Sequence, residues 1–310
     1  MMREVCTVRP PTYRRSSRGS DQLMAEASEG LDIFNLDETS AEEINANLIK
    51  VWSWRGPLYE MYANSLMLDY APDFAKLHRW GSDYFGRPSH VNIILLSSQN
   101  IHSYMMTGWE TGIFNEFITL RRNGMSVEKI MELVMFTQIY AGMRGLGHVF
   151  RAVGENLPAY GPPVEPLAPF PEGWAADPAA FKSGLDLTTR DMTAQDVENL
   201  TGWYESTIGF VPKSIQFGLK YHPGFVKVNR AKWEVAIKTL PKQIAPYLLL
   251  RHHTITGSVE GLREAALLAK AWGISREYVI QGIAGTAMYF GGFDSLYAAF
   301  EAVDPILEDW

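Results

Sequence analysis

The chain has 310 residues, 46 % apolar and 20 % charged, enough to bury a sizeable core in one large or two ordinary domains. A formal net charge of −7 offers no surplus of Lys and Arg to displace counterions from phosphates, so no nucleic-acid partner is expected; a small anion, needing only one or two local cations, is not excluded. The single cysteine, Cys6, excludes an intrachain disulfide framework, a CxxC redox pair, a buried catalytic thiol and a Cys-rich zinc site, and it fits a reducing, cytoplasmic setting.

Residues 1–25 carry Arg3, Arg14, Arg15 and Arg18 with no apolar core behind them. They read as a disordered basic tail and not as a secretory leader, with Met24 as a second candidate start. Ser40-Ala41-Glu42-Glu43 is a capping box that opens a helix through Leu48 and Val51. The apolar runs Val91 to Leu96 and Tyr247 to Leu250 are far too short to cross a bilayer, so no membrane partner is expected. Pro88 and Pro241 precede those runs, as proline does in the first turn of a helix. Gly124 followed by Ser126, and Gly273 followed by Ser275, each mark a helix end and the cap of the next helix, with Glu128 or Glu277 in its first turn. Ile130, Leu133, Val134, Phe136, Thr137 and Tyr140 then recur at helical spacing, as do Ile280, Ile283, Ala284, Ala287 and Met288. No alternating strand pattern of useful length occurs, so the expected class is all-α.

The chain repeats itself. Pro72-Asp73-Phe74-Ala75-Lys76 with Arg79 returns as Pro223-Gly224-Phe225-Val226-Lys227 with Arg230, a spacing of 151 (223 − 72). Thr107-Gly108 returns as Thr256-Gly257, and Gly124-Met125-Ser126 as Gly273-Ile274-Ser275, both at 149. Tyr140-Ala141-Gly142 returns as Tyr289-Phe290-Gly291. Two tandem helical units are expected, with residues 26–156 holding an N-terminal extension and the first unit and 201–310 the second. Residues 157–200, with Pro158, Pro162, Pro163, Pro166, Pro169, Pro171 and Pro178, read as a Pro-rich linker laid over the surface.

The run from Phe117 to Val153, with Arg122-Asn123-Gly124-Met125-Ser126-Val127-Glu128 and Ile139-Tyr140-Ala141-Gly142, resembles the carboxymuconolactone decarboxylase family and, more distantly, its alkylhydroperoxidase D-like relatives. The second copy resembles them through Gly273-Ile274-Ser275 and Tyr289-Phe290-Gly291. The resemblance implies a helical fold, a site between helices and homo-oligomers. The peroxidase-like members carry C-x-x-C-x-x-x-H ahead of the glycine. Here those positions are Trp109, Gly112 and Glu116 in the first copy and Ser258, Gly261 and Ala265 in the second. Thiol peroxidase chemistry is therefore excluded, while lyase-type acid/base chemistry stays open.

The candidate catalytic residues are His252, His253, Glu116 and His102. Imidazole moves protons near neutral pH, and Glu116 stands where the family places its histidine. Arg251 is a candidate for holding a carboxylate through paired hydrogen bonds. Tyr104, Tyr140, Trp109, His148 and Tyr289 complete the expected substrate-binding set. A surface cluster at a helix end, a solvent-facing Glu116 and tyrosines shared as core contacts are the bland alternatives. Glycines 142 and 291 read as close-packing positions, and His78 and His222 as surface or loop positions. Adjacent histidines diverge on a helix and no metal motif is present, so no metal and no cofactor are expected. Nine tryptophans and thirteen methionines suit an apolar pocket or an ordinary core. The reading is a cofactor-independent lyase acting on a small, aromatic-derived carboxylate or lactone. The alternatives are a non-catalytic ligand-binding or scaffold protein, and a cofactor-free oxygenase or isomerase.

Overall fold

The computed structural model describes residues 37–40, 42–44, 62–78, 92–154, 170–286, 290 and 292–310. Helices α1 (Tyr62–Tyr70), α2 (Ile93–Thr107), α3 (Glu110–Arg122) and α4 (Val127–Val153) come first. After the crossing segment follow α5 (Ala194–Ile208), α6 (Lys213–Tyr221), α7 (Pro223–Ala236), α8 (Ile244–Thr256), α9 (Val259–Ala271), α10 (Arg276–Thr286) and α11 (Gly292–Glu308). Among the described residues there is no strand, only an isolated bridge between Ala176 and Pro241, and no helix is long and apolar enough to cross a membrane. Cys6, Leu48, Val51, Arg79, Pro88, Ala287, Met288 and Tyr289 lie outside the described residues.

Two helices form the centre. Nearly every residue of α2 is buried, and so are most of α8. They pack on each other; α3 and α4 cover α2, while α9, α10 and α11 cover α8. A helix buried all round has no polar face to sacrifice, which is why neither shows a one-sided apolar stripe. Asn92 starts α2 by accepting from the Ile94 and Leu95 amides at 2.9 and 3.3 Å. Pro241 precedes α8 by three residues and pairs with Ala176; the proline in the first turn is Pro246. The turn ahead of α8 is held by Glu132 of α4, whose carboxylate accepts from the backbone amides of Lys238, Thr239 and Leu240 at 3.0–3.1 Å.

The helix endings run in parallel. Gly108 and Gly257 end α2 and α8 in left-handed geometry. After α3, Gly124 and Met125 donate to the Arg121 and Leu120 carbonyls at 3.1 and 2.9 Å; after α9, Gly273 and Ile274 donate to Lys270 and Ala269 at the same distances. These are Schellman closures, and Ser126 then caps α4 through the Lys129 amide. A third positive-φ pair, Gly142 (φ 65) and Gly292 (φ 61), stands 150 apart. Gly142 kinks α4, and 150 positions on Gly292 starts α11.

Gly142 is therefore not a close-packing residue, since nothing lies within 4 Å of where a Cβ would sit. Its backbone, φ 65 and ψ −168, falls in a region that only glycine tolerates. Gly142→Ala is expected to cost about 1–3 kcal/mol in urea unfolding. Gly147→Ala, in the same helix and meeting only the flexible end of Arg151 at an ordinary 3.6 Å, is expected to be neutral or to stabilise by up to about 1 kcal/mol.

The described part of the crossing, 170–193, is more than a surface strap. Asp177 starts a short 3-10 turn at Pro178–Phe181, and Phe181 is fully buried against Trp233 and Trp272, at 4.8 and 5.0 Å between ring centroids. The buried Lys227 that recurs in the repeat bonds Asp196 at 2.7 Å and the Asp191 carbonyl at 2.6 Å. Arg230 lies over the Trp203 ring at 3.8 Å and donates to the Phe181 carbonyl. Lys227 and Arg230 thus pin residues 170–193 in place.

Candidate functional site

The contact between α2 and α8 is polar at its centre. Ser97, Ser98, Gln99, Asn100, His102 and Ser103 are all buried on α2, opposite Arg251 and His252 of α8. Gln99 Nε2 donates to the Tyr247 carbonyl at 2.9 Å. Arg251, 0 % exposed, donates from Nη1 to Asn100 Oδ1. Asn100 Nδ2 in turn donates to Glu116 Oε1 at 2.9 Å, with Glu116 at 2 % exposure. Small residues admit these side chains: Gly282 closes on Gln99 and Tyr247, and Gly285 on the Arg251 guanidinium. The buried face of α10 is accordingly Val279, Gly282, Ile283 and Thr286, one position off the face expected from the aliphatic spacing.

Beside this network three imidazoles meet. His102 Nδ1 lies 2.9 Å from Thr137 Oγ1, and His102 Nε2 lies 3.2 Å from His252 Nδ1. The His252 ring stands 4.9 Å from both the Tyr140 and the His253 ring. Two tautomer sets satisfy the chain of bonds. In one, the Thr137 hydroxyl donates to His102, which donates to His252; in the other, both directions reverse. Burial lowers the pKa of all three: His252 to about 4, His253 to about 3, and His102 well below 6.5 with help from the neighbouring His252, His253 and Arg251 charges. All three are neutral at pH 7, because a low-dielectric interior penalises imidazolium. His253 Nδ1 is buried and has no hydrogen-bond partner among the described residues.

A carboxyl lies within electrostatic reach of Tyr140. Burial raises Glu264 of α9 to about 7, against the pull of Arg230 and with a smaller push from Glu260. The Glu264 charge acts on Tyr140 and Tyr204, whose hydroxyls burial already pushes upward. Tyr140 is thus the common neighbour of neutral imidazoles and of a carboxyl poised at neutrality.

The structure therefore brings His102, His252, His253 and Tyr140 together and sets Glu116 and Arg251 in the adjoining network. None of the three catalytic candidates on α3 and α8 faces bulk solvent. Arg251 bonds inward, so its described partner is the protein itself. Tyr104 packs edge-on to Trp109 at 4.6 Å and against Phe290 at 5.3 Å, and Trp109 is partly exposed. His148 pairs with Glu110 at 2.9 Å, where Arg151 also binds, and not with the imidazole group. Tyr289 lies outside the described residues. His222 is exposed between α6 and α7, and His78 is partly buried. Asn100, Thr137 and Glu264 do not stand out in the sequence as site residues. The polar run Ser97-Ser98-Gln99-Asn100 inside an apolar helix is the available signal for Asn100; Glu264 has none beyond standing one residue before Ala265.

The glycines at the second cysteine position of the resembled family have a local cause. A Cβ at Gly112 would meet the Tyr104 ring at 2.7 Å, and one at Gly261 would strike the His253 ring. Tyr104 and His253 are themselves 149 apart, as are the two glycines. In each half, a ring from the preceding helix fills the space a cysteine side chain would take. Among the described residues no group of His, Cys, Asp and Glu could hold a metal ion. No family model, no curated protein and no solved structure matches the chain.

Proposed function

We propose that this chain is a cofactor-independent acid/base enzyme of the lyase type, acting on a small, aromatic-derived carboxylate or lactone. The observation that carries the reading is the buried His102–His252 pair, bridged at 3.2 Å and backed by Thr137, with both rings neutral. A neutral imidazole is a base, and a carboxyl titrating near 7 is an acid still holding its proton. Environments that push two groups apart in this way divide the roles of one reaction between them. His252, the less buried of the pair, exchanges the proton; His102 and Thr137 fix its tautomer. Glu264 supplies the acid, and Tyr140 offers a hydroxyl kept protonated by burial. In a decarboxylation His252 takes the proton of the substrate's carboxyl group, the C–C bond breaks with release of CO₂, the electron pair of that bond enters the adjacent carbonyl system, and the carbon takes a proton from Glu264; exchange with solvent then returns both residues to their starting states. Arg251, Asn100 and Glu116 act as positioning residues that hold α2 against α8.

The paired glycine closures at spacings of 149 and 150 support two units descended from one, joined by the 157–200 crossing. In this reading the copies have divided the work: the later one supplies His252, His253 and Glu264, and the earlier one His102, Thr137 and Tyr140.

The test is turnover of a panel of small aromatic carboxylates and lactones, followed by CO₂ release and by deuterium uptake from D₂O. His252→Asn is expected to lower kcat by about 10²–10⁴ with the helical CD spectrum unchanged. The kcat/KM profile is expected to fall below about pH 4 as His252 protonates and above about pH 7 as Glu264 ionises. Full turnover in His252→Ala, His253→Ala and Glu116→Gln would remove the assignment.

A second reading is favoured by one fact, the 0 % exposure of Arg251 and His102. A polar network closed to solvent also serves as an internal register for two central helices in a non-catalytic binding or scaffold protein. Tight binding of a panel member without turnover in any assay supports that reading.

A further inference from the structure

A cleft of about 1060 Å³ opens between the end of α5, the start of α6, α9 and α11. Gly209 ends α5 in left-handed geometry (φ 85), and Phe210 and Val211 then form one wall before α6 begins. Val259, Arg263 and Leu267 stand four residues apart along α9 and line the cleft as one stripe of that helix, with Ile306 of α11 beside them. The opposite face of α9, Leu262, Ala265, Ala266 and Ala269, is buried in the core. Apolar walls with a few fixed polar groups, at a volume near the top of the usual range, are the anatomy of a small-molecule site.

The polar groups have a definite arrangement. Arg263 donates from Nε to the Ala302 carbonyl of α11 at 3.2 Å, which ties the guanidinium between the two helices. That bond leaves the edge formed by its two terminal nitrogens, the edge that grips a carboxylate through two parallel hydrogen bonds. The terminal nitrogens of Arg263 and the ammonium of Lys213 make no hydrogen bond or ion pair among the described residues. Two carboxylates also line the cleft. Glu260 accepts from the Lys213 backbone amide, and Glu205 is exposed. The charged lining belongs to the later half alone. At the spacing of 149, Arg263 stands against Phe114 and Glu260 against Thr111 (263 − 114, 260 − 111), while the neighbouring Leu262 and Ile113 are both buried.

We propose that this cleft binds an alkyl carboxylate of the fatty-acid class. Its head group lies on the free edge of Arg263 with Lys213 beside it, and its chain covers Val211, Val259, Leu267 and Ile306. Both parts of the ligand answer an observation: the tethered guanidinium selects an anion, and the aliphatic walls select a hydrocarbon tail. The site is separate from the imidazole group, none of whose residues lines it. The inference does not depend on the acid/base reading, and its readout is binding, so a chain without turnover still decides it.

Calorimetric titration of the full chain with octanoate, decanoate and octylamine tests it. One decanoate per chain is expected, with a Kd of about 1 mM or below. Decanoate is expected to bind roughly tenfold tighter than octanoate, because two more methylenes leave water. Octylamine, with the same tail and the opposite charge, is expected to bind about tenfold more weakly than octanoate or worse. Arg263→Gln is expected to weaken decanoate about threefold or more. Val259→Asp, at a position 46 % exposed in the first turn of α9 where an acid suits the helix, is expected to weaken it about tenfold. Glu205→Gln is expected to leave binding unchanged or tighter, and Lys238→Gln, exposed and outside the cleft, to leave it unchanged. No saturable decanoate binding up to several millimolar overturns the proposal, as does octylamine binding as tightly as octanoate. So does an unchanged affinity in both Arg263→Gln and Val259→Asp, a weakening in Glu205→Gln, or an equal weakening in Lys238→Gln.

Discussion

Acidification from about pH 6.5 to about pH 4.5 is expected to lower the unfolding free energy by about 3 kcal/mol or more. Burial holds His252 at about 4 and His253 at about 3 in the folded chain. In the unfolded chain both return to about 6.5. Across that interval the unfolded state binds more protons, so the stability is complete above about pH 6.5 and is lost as the pH falls toward the folded values. Each histidine contributes about 1.4 kcal/mol per pH unit. Glu264 opposes them. Its folded value of about 7 means that the folded chain keeps a proton the unfolded chain has released, so this group adds stability as the pH drops from 7. One carboxyl offsets one imidazole, and the other imidazole acts over about two pH units to give the quoted loss. His102, also depressed by burial, adds to the loss in the same direction. Urea midpoints across this interval measure the effect, and His252→Asn should flatten the slope. A midpoint that holds level or rises on acidification would mean that the imidazoles are already charged in the fold.

Arg251→Leu is expected to destabilise the fold by about 3–5 kcal/mol, the cost of deleting one member of a buried charged network. The guanidinium is fully buried and donates to Asn100, which donates to Glu116. Leucine there leaves the Asn100 oxygen without that donor and loosens the amide that donates to Glu116. Replacing Arg251, Asn100 and Glu116 together with leucine should restore much of the loss, because exchanging a whole buried network for apolar groups is often close to neutral. Chemical denaturation of the two variants gives the comparison. A loss below about 1 kcal/mol in Arg251→Leu would show that Arg251 does not hold α2 to α8.

Much of the helical order is legible in the amino-acid sequence, for identifiable reasons. Gly124 and Gly273 punctuate helices that end in left-handed closures, and punctuation of that kind is local chemistry. The run from Ile130 to Thr137 keeps its spacing because α4 has one buried face. The aliphatic spacing misplaces the α10 face by one residue because Gly282, Gly285 and Thr286 share the buried face with Val279 and Ile283. Gly142 reads as a packing glycine because a kink inside a helix leaves no mark in composition. His102, His252 and His253 are legible as residues of interest, but their meeting is not, since it depends on how α2 crosses α8. Asn100 and Glu264 escape a reading of the sequence for a related reason: an asparagine between two charges and a carboxyl raised by burial are defined by tertiary surroundings alone.

The proposed proton transfer rests on a bridged pair of neutral imidazoles. Long-range ¹H–¹⁵N correlation spectra of the histidine rings, recorded from pH 8 down to pH 5, test it most directly. His102 and His252 are each expected to show one protonated and one bare ring nitrogen, in one tautomer set, with no titration over that range. Ring nitrogens of either residue that titrate together near pH 6.5 would contradict it.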